Sequence, residues 1–153
     1  MEVRKLTGEE RFAAYLTSVY CFHMRVEDVE AKRERQLNAT IEDWGAFDDN
    51  NTLMARIINN HYDFYVDGTA VKAGGIGAVS TLPEYRNSGA IRAIFQDLLP
   101  SVYADGEVIS ALCPFKEELW IQAMTEMLSG PKAKLLDVNK KAFALGRAAA
   151  LRK

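Results

Sequence analysis

The spacing of apolar residues changes several times along this chain, and each change predicts an element boundary. Val3 to Leu6 reads as a short first strand, and Thr7-Gly8-Glu9-Glu10 then matches a capping box. In that box the Thr7 hydroxyl and the Glu10 carboxylate satisfy orphan amides at a helix start. Phe12, Leu16, Val19, Tyr20 and His23 recur at helical spacing and predict one buried face. From Val26 to about Trp44 the chain is rich in charge, with Leu37, Ile41 and Trp44 forming a narrower stripe on a second, more exposed helix.

After Trp44 the texture changes. LMARIINNHYDFYV, Leu53 to Val66, is rich in apolar and β-branched residues and is followed by the turn pair Asp67-Gly68, so a hairpin or meander is expected. Val71 to Leu82 continues as a strand with interior glycines at Gly74, Gly75 and Gly77, which indicate a bulge or a close approach, and Pro83 stops it. Ala90 to Tyr103 predicts a helix with Ile91, Ile94, Phe95, Leu98 and Leu99 on its inner face. Asp105-Gly106 turns the chain into a short buried strand, Val108 to Leu112. Strand, helix and strand in that order imply a right-handed crossover with parallel pairing. Beyond Lys116, Trp120, Met124, Met127 and Leu128 predict an amphipathic helix, Gly130-Pro131 break it, and Asn139 to Leu151 form another. The fold class is α+β: two helices, then a mostly antiparallel sheet ending in a parallel crossover, with a helical tail capping the sheet.

The 153 residues suit one domain with a real core. Lys and Arg number 19 against 21 Asp and Glu, a net charge of -2, which offers no general attraction to nucleic acid or an anionic membrane. Any anion site must therefore be local. Cys21 and Cys113 form no Cys-x-x-Cys pair and read as free buried thiols of a reducing cytoplasm. MEVRKLTGEER lacks the apolar core of a signal peptide, and no apolar run approaches the ~18 residues of a membrane span. His23 and His61 have no Cys or carboxylate at ligand spacing, so no metal is expected and each reads as a surface or packing histidine.

GGIGAVS lies inside the strand pattern rather than at a strand-to-helix turn, which rejects a nicotinamide fingerprint. The strand-to-helix junction is RNSGA, Arg86 to Ala90, where successive amides and the positive end of the next helix can converge on a phosphate. Gly89 allows close backbone approach, Arg86 and Arg92 add charge, and Asn87 and Ser88 add neutral donors. On spacing alone, an ordinary glycine turn at a helix start is the default reading.

The segment GGIGAVSTLPEYRNSGAIRAIF, Gly74 to Phe95, resembles the acetyl-CoA site of the GNAT superfamily of N-acetyltransferases, whose fingerprint is Gln/Arg-x-x-Gly-x-Gly/Ala. Arg86 takes the Gln/Arg position, Gly89 the central glycine, and Ile91 the place of the final small residue. The branch named for the enhanced intracellular survival protein is the most similar, and MEVRKLTGEER, WGAFDD and VISALCPF extend the likeness to about Phe115. The resemblance implies a GNAT-like core over 1–115, with 116–153 a helical segment of the same compact domain. It implies acetyl-CoA as cosubstrate, its diphosphate on Arg86, Asn87, Ser88, Gly89, Ala90 and Ile91, and its pantetheine arm along the backbone of Val79 and Thr81. It also implies direct acyl transfer to a small-molecule or peptide amine.

The superfamily commonly carries a tyrosine proton donor after the fifth-strand equivalent, yet KEELWIQAMTEMLSG contains none. The catalytic acid is therefore unassigned, Cys113 being the nearest ionisable side chain and more simply a packed thiol. Trp44 and Phe47 read as aromatic core or as acceptor-pocket lining. LDVNKKAFALGRA resembles the closing segment of small subunits of 2-oxoacid:ferredoxin oxidoreductases, which implies a mosaic or truncated gene product and carries no function over. Three readings follow: an acetyltransferase, a noncatalytic acyl-CoA-binding module that kept the loop, and a structural fragment whose sheet edge is covered by homo-oligomerisation.

Overall fold

Val3 and Arg4 face Ala46 and Gly45 across the first antiparallel ladder of the sheet. The computed structural model describes residues 1–112, 121, 125 and 130–150. The chain divides into two units, Met1–Leu112 and Cys113–Lys153. In the first, the strands β1 (Glu2–Lys5), β2 (Glu42–Phe47), β3 (Leu53–Val66), β4 (Thr69–Thr81) and β5 (Ile109–Leu112) lie side by side in chain order. Each neighbouring pair is antiparallel except β4 and β5, which run parallel after the crossover through α3 (Ala90–Ala104). The architecture is the expected mixed, mostly antiparallel open sheet flanked by helices.

Adjacent strand residues point to opposite faces, so Ile57 and Arg56 separate the two sides of the sheet. On the Ile57 side, Trp44, Ala46, Ala55 and Ile76 pack against Ala90, Ile94, Leu98 and Val102 of α3. Leu99, expected on that inner face, is exposed, and Val102 one turn beyond Leu98 is buried in its place. On the Arg56 side lies α1 (Glu9–Cys21), whose Ser18 hydroxyl meets the Ser80 hydroxyl at 3.1 Å.

The buried face of α1 differs from expectation. It is Ala14, Thr17 and Ser18 that are buried, whereas Leu16 is 43% and Tyr20 61% exposed. The sheet explains this: it presents Arg56 and Ser80 to the helix, and small hydroxyl-bearing residues satisfy them where large apolar ones would leave donors unpaired. Only half of the capping box forms. Glu10 accepts from the Thr7 amide at 3.4 Å, but Gly8 is the N-cap and no side chain caps from there. The Glu10 carboxylate is also held by Arg4 at 2.8 Å.

The second helix, α2, is shorter than its charge pattern suggests. It spans Val29–Leu37, with Asp28 accepting from the Ala31 amide at 2.9 Å as N-cap. Trp44 belongs to β2, because Glu42–Phe47 fills the gap between β1 and β3 and pairs on both sides. The β3–β4 hairpin closes on Asp67 and Gly68, with φ of 48° and 80°, the two left-handed residues that match the twist of the flanking strands. β5 is an outer strand among the described residues, so Leu112 stays partly open rather than buried.

In the second unit a 3-10 segment, Gly130–Leu135, leads into α4 (Leu136–Ala150). This helix begins three residues before the expected start at Asn139, whose side-chain amide donates to the Leu135 carbonyl at 2.8 Å. The expectations for Cys113, Trp120, Met124, Met127 and Leu128 lie outside the described residues.

Candidate functional site

The site grows from an irregularity in β4. Arg56 faces Ser80 and Ile58 faces Gly77, so Ile57 opposes two residues, Ala78 and Val79. That is a bulge, and Ala78 takes a left-handed φ of 48° to make it. An extra residue bends its strand and frees a backbone group from the ladder. On its other edge β4 pairs with β5 only over Ala73–Ile76, so among the described residues Gly77 to Thr81 have no strand partner there. The result is a stretch of open strand edge beside a bulge, able to pair with an extended ligand.

This edge runs directly into the glycine junction. Pro83–Tyr85 form one 3-10 turn, Asn87 and Gly89 take left-handed φ of 65° and 85°, and α3 begins at Ala90. Gly89 is needed because its conformation is costly for any residue with a Cβ. The Ser88 amide is spent on the Tyr85 carbonyl at 3.3 Å and the Ala90 amide on Ser88 Oγ at 3.4 Å. The amides of Asn87, Gly89, Ile91 and Arg92 have no acceptor among the described residues. Together with the helix dipole they give the loop a positive backbone face.

Thr81, Asn87, Ser88, Gly89, Ala90 and Ile91 all line one cavity of about 200 Å³. Arg86 extends outward from the junction, exposed, and Val79 packs partly against the α3-side core. Tyr85 and Arg92 complete the cavity wall. The Cys21 thiol donates to the Thr81 carbonyl at 3.3 Å, and burial pushes its pKa up while the Arg86 charge pulls it back.

A second cavity, of about 390 Å³, opens on the α1 side and includes Ala78 of the bulge in its lining. Tyr15, Phe22, Met24, Ile41 and Ile58 form its apolar walls, with Ser18, Gln36 and Arg56 at the polar end. Arg56 grips Asp43 bidentately, Nε to Oδ1 at 2.8 Å and Nη2 to Oδ2 at 2.6 Å, and both residues are 2% exposed. Burial raises the Asp43 pKa, opposed by the Arg56 hydrogen bond and charge. Arg56 also reaches Ser18 Oγ at 3.3 Å and Gln36 Oε1 at 3.4 Å, and Ser80 Oγ donates to the Ala78 carbonyl at 3.0 Å. A continuous polar chain therefore runs from Asp43 to the bulge. Trp44 and Phe47 lie in the two cores and not in this lining.

A third cleft of about 300 Å³ lies toward the hairpin end of the sheet. There His61 Nδ1 pairs with Glu107, and the Asn59 side-chain amide donates to the same carboxylate at 2.9 Å. His61 faces Gly74, seven residues from Thr81 along β4, a separation of about 23 Å at ~3.3 Å per residue.

The family model that matches this chain is the acetyltransferase (GNAT) domain, over residues 2–120. Solved structures share the fold. A conserved protein of Enterococcus faecalis V583, described as a probable N-acyltransferase, superposes with a TM-score of 0.68 at 24% identity, covering 79% of this chain and 31% of that one. Eis1 from Mycobacterium abscessus gives 0.64 at 16% identity, covering 76% and 29%. This chain thus spans about a third of the length of those two proteins. A Clostridium acetobutylicum predicted acetyltransferase, solved with acetyl-CoA, gives 0.59 at 14% identity, covering 74% and 80%. No curated protein matches the chain.

Proposed function

The chain belongs to the GNAT acetyltransferase family through residues 2–120, and from that premise we propose that it transfers the acetyl group of acetyl-CoA to an amine by direct attack. The observation that carries the proposal is the continuity between the edge of β4, Gly77 to Thr81, and the amides at the start of α3, both without partners among the described residues. One extended molecule with a diphosphate at one end and an amide-bearing arm at the other fits both features. In this reading the loop from Arg86 to Ile91 holds the diphosphate, through the amides of Asn87, Gly89 and Ile91 and the Arg86 side chain, with Ser88 and Ala90 shaping the turn, and the backbone of Val79 and Thr81 pairs with the arm.

The thioester then arrives at the Ala78–Val79 bulge, where a backbone amide freed from the ladder can donate to the carbonyl oxygen as it gains charge. The neutral amine nitrogen bonds to the carbonyl carbon, the carbon–sulfur bond breaks, and the proton that the nitrogen then sheds passes to the thiolate, which leaves as CoA. An alkylamine titrates near ~10.4, so its proton must first pass to water or a base. The second cavity, which meets the same bulge at Ala78, is the approach for the amine.

The likeness of MEVRKLTGEER, WGAFDD and VISALCPF to the enhanced intracellular survival branch supports placing the chain there. A cytoplasmic location fits that reading. Among the described residues no helix is long and apolar enough to cross a membrane. The second reading, a catalytically impaired acyl-CoA-binding module, is favoured by one feature, the absence of tyrosine from KEELWIQAMTEMLSG.

Calorimetric titration with acetyl-CoA, on the protein and on Gly89→Trp, tests the cofactor site. A Cβ at Gly89 meets nothing within 4 Å, so a bulky residue there has room beside the amides proposed to hold the diphosphate. Binding lost in the variant supports the site, and equal binding places the ligand elsewhere. Release of CoA thiol in the presence of amines separates the transferase from the binding module, which predicts thermal stabilisation without turnover.

A further inference from the structure

The second cavity also carries information about the acceptor. Resting on the transferase reading above, we propose that the acceptor is an amine borne on an aromatic or branched aliphatic body, rather than a polyamine or another polycation. Three observations lead there. The walls are apolar: Tyr15, Phe22, Met24 and Ile58 surround a volume of about 390 Å³, within the usual small-molecule range of ~300–1,000 Å³. Phe22 and Met24 remain substantially exposed at its rim, where an apolar ligand body would cover them.

The ionic groups at the polar end are already committed. The Asp43 carboxylate takes both of its close bonds from Arg56, and the remaining Arg56 nitrogen reaches Ser18. A second ammonium entering the cavity would lose water against apolar walls beside a guanidinium, with no carboxylate free to receive it among the described lining residues. Ala78 then sets the polarity of the bound molecule. It belongs both to the lining and to the bulge, so the amine end points to the bulge and the apolar body toward Phe22 and Met24.

The test is a comparison of 2-phenylethylamine with spermidine, by kcat/KM for CoA-thiol release and, independently, by calorimetric binding of each amine to the protein. We expect 2-phenylethylamine to be preferred by about tenfold or more, the scale on which an apolar pocket rewards each buried carbon group. Met24→Asp places a carboxylate at the exposed rim. It should weaken 2-phenylethylamine about tenfold, move the preference toward spermidine, and leave the acetyl-CoA titration unchanged. Ile58→Ala, a milder change of the wall, should lower the preference in the same direction. Spermidine preferred by the native protein, or a preference unmoved by Met24→Asp, overturns the inference even if acetyl-CoA binds. Failure of acetyl-CoA to bind removes the transferase reading and with it the amine's role as acceptor, while the amine preference of the cavity is still decided by the separate binding titration.

Discussion

Tyr85 donates its phenolic hydroxyl to Asp48 Oδ2 at 3.0 Å, tying the turn that enters the glycine loop to the turn between β2 and β3. Asp48 is itself fixed, accepting from the Asn50 and Thr52 amides at 3.0 and 2.8 Å. The loop therefore inherits its position from a turn elsewhere in the sheet. Tyr85→Phe keeps the ring, which packs partly against the core, and deletes only the tether. We expect acetyl-CoA affinity to fall about threefold to tenfold through lost preorganisation, with little change in the circular dichroism spectrum. Unchanged affinity in calorimetry would show that the tether does not position the loop.

The same aspartate shapes the response to acid. The Thr52 amide foremost, and then the Tyr85 hydroxyl and Asn50 amide, hold the Asp48 carboxyl below its ordinary range. Glu10 is lowered likewise by Arg4. A folded pKa below the unfolded one gives stability that is complete above the ordinary carboxylate range and is lost as pH falls through the folded value. For Asp48 the loss begins below about 3.9. Asp48→Asn should consequently lower the melting temperature at pH 7 and lose less between pH 5 and pH 3 than the native protein. Parallel melting curves across that interval would remove Asp48 as a source of the acid sensitivity.

Much of this fold is readable in the chain because local and long-range preferences agree. β3 is an example, since its stretch rich in apolar and β-branched residues ends on Asp67-Gly68, a pair suited to the two left-handed positions of a tight hairpin. The local shape of the loop is equally legible: Pro83 ends a strand and Gly89 precedes a helical stripe, and in the structure Thr81 and Asn87 to Ile91 line one cavity. What escapes is what register decides. Asp43 and Arg56 meet because Gly45 stands opposite Arg56 in the β2–β3 ladder, a pairing that no local pattern contains. That hidden ion pair is also why α1 turns Ser18 inward and Leu16 outward, against its apolar stripe. Ala78 gives no signal either, because alanine seldom takes a left-handed φ unless a bulge imposes it.

Gly74 exists for a neighbour rather than for a turn. A Cβ there would overlap Asn59 Oδ1 and Glu107 Oε2, two buried atoms held in place by the Asn59–Glu107 hydrogen bond and by His61. Gly74→Ala should cost about 1–3 kcal/mol, the usual price of overpacking. That corresponds to a drop of about 2–4 °C in melting temperature per kcal/mol for a chain of this size. Gly89→Ala is the control, since its Cβ meets nothing and only the left-handed φ is strained, a cost of about 1 kcal/mol. Thermal melts in which Gly74→Ala matches the native protein would contradict the crowding seen at this position.

The Arg56–Asp43 pair offers the sharpest separation of charge from packing. Both side chains are almost wholly buried, so removing one strands the other's charge in an apolar setting. Arg56→Met should destabilise by about 3–5 kcal/mol at pH 8, whereas the double variant Asp43→Leu with Arg56→Met should recover most of that loss. The pH dependence carries its own sign. Burial already raises the Asp43 pKa in the native protein, and without Arg56 its two larger opposing influences are gone, leaving the Arg11 charge. A raised folded pKa means stability that is present at low pH and lost as pH rises through it. Urea unfolding of Arg56→Met should therefore show a smaller deficit at pH 5 than at pH 8, while the double variant shows no such difference. A deficit in Arg56→Met independent of pH would mean that lost packing, not a stranded carboxylate, accounts for the destabilisation.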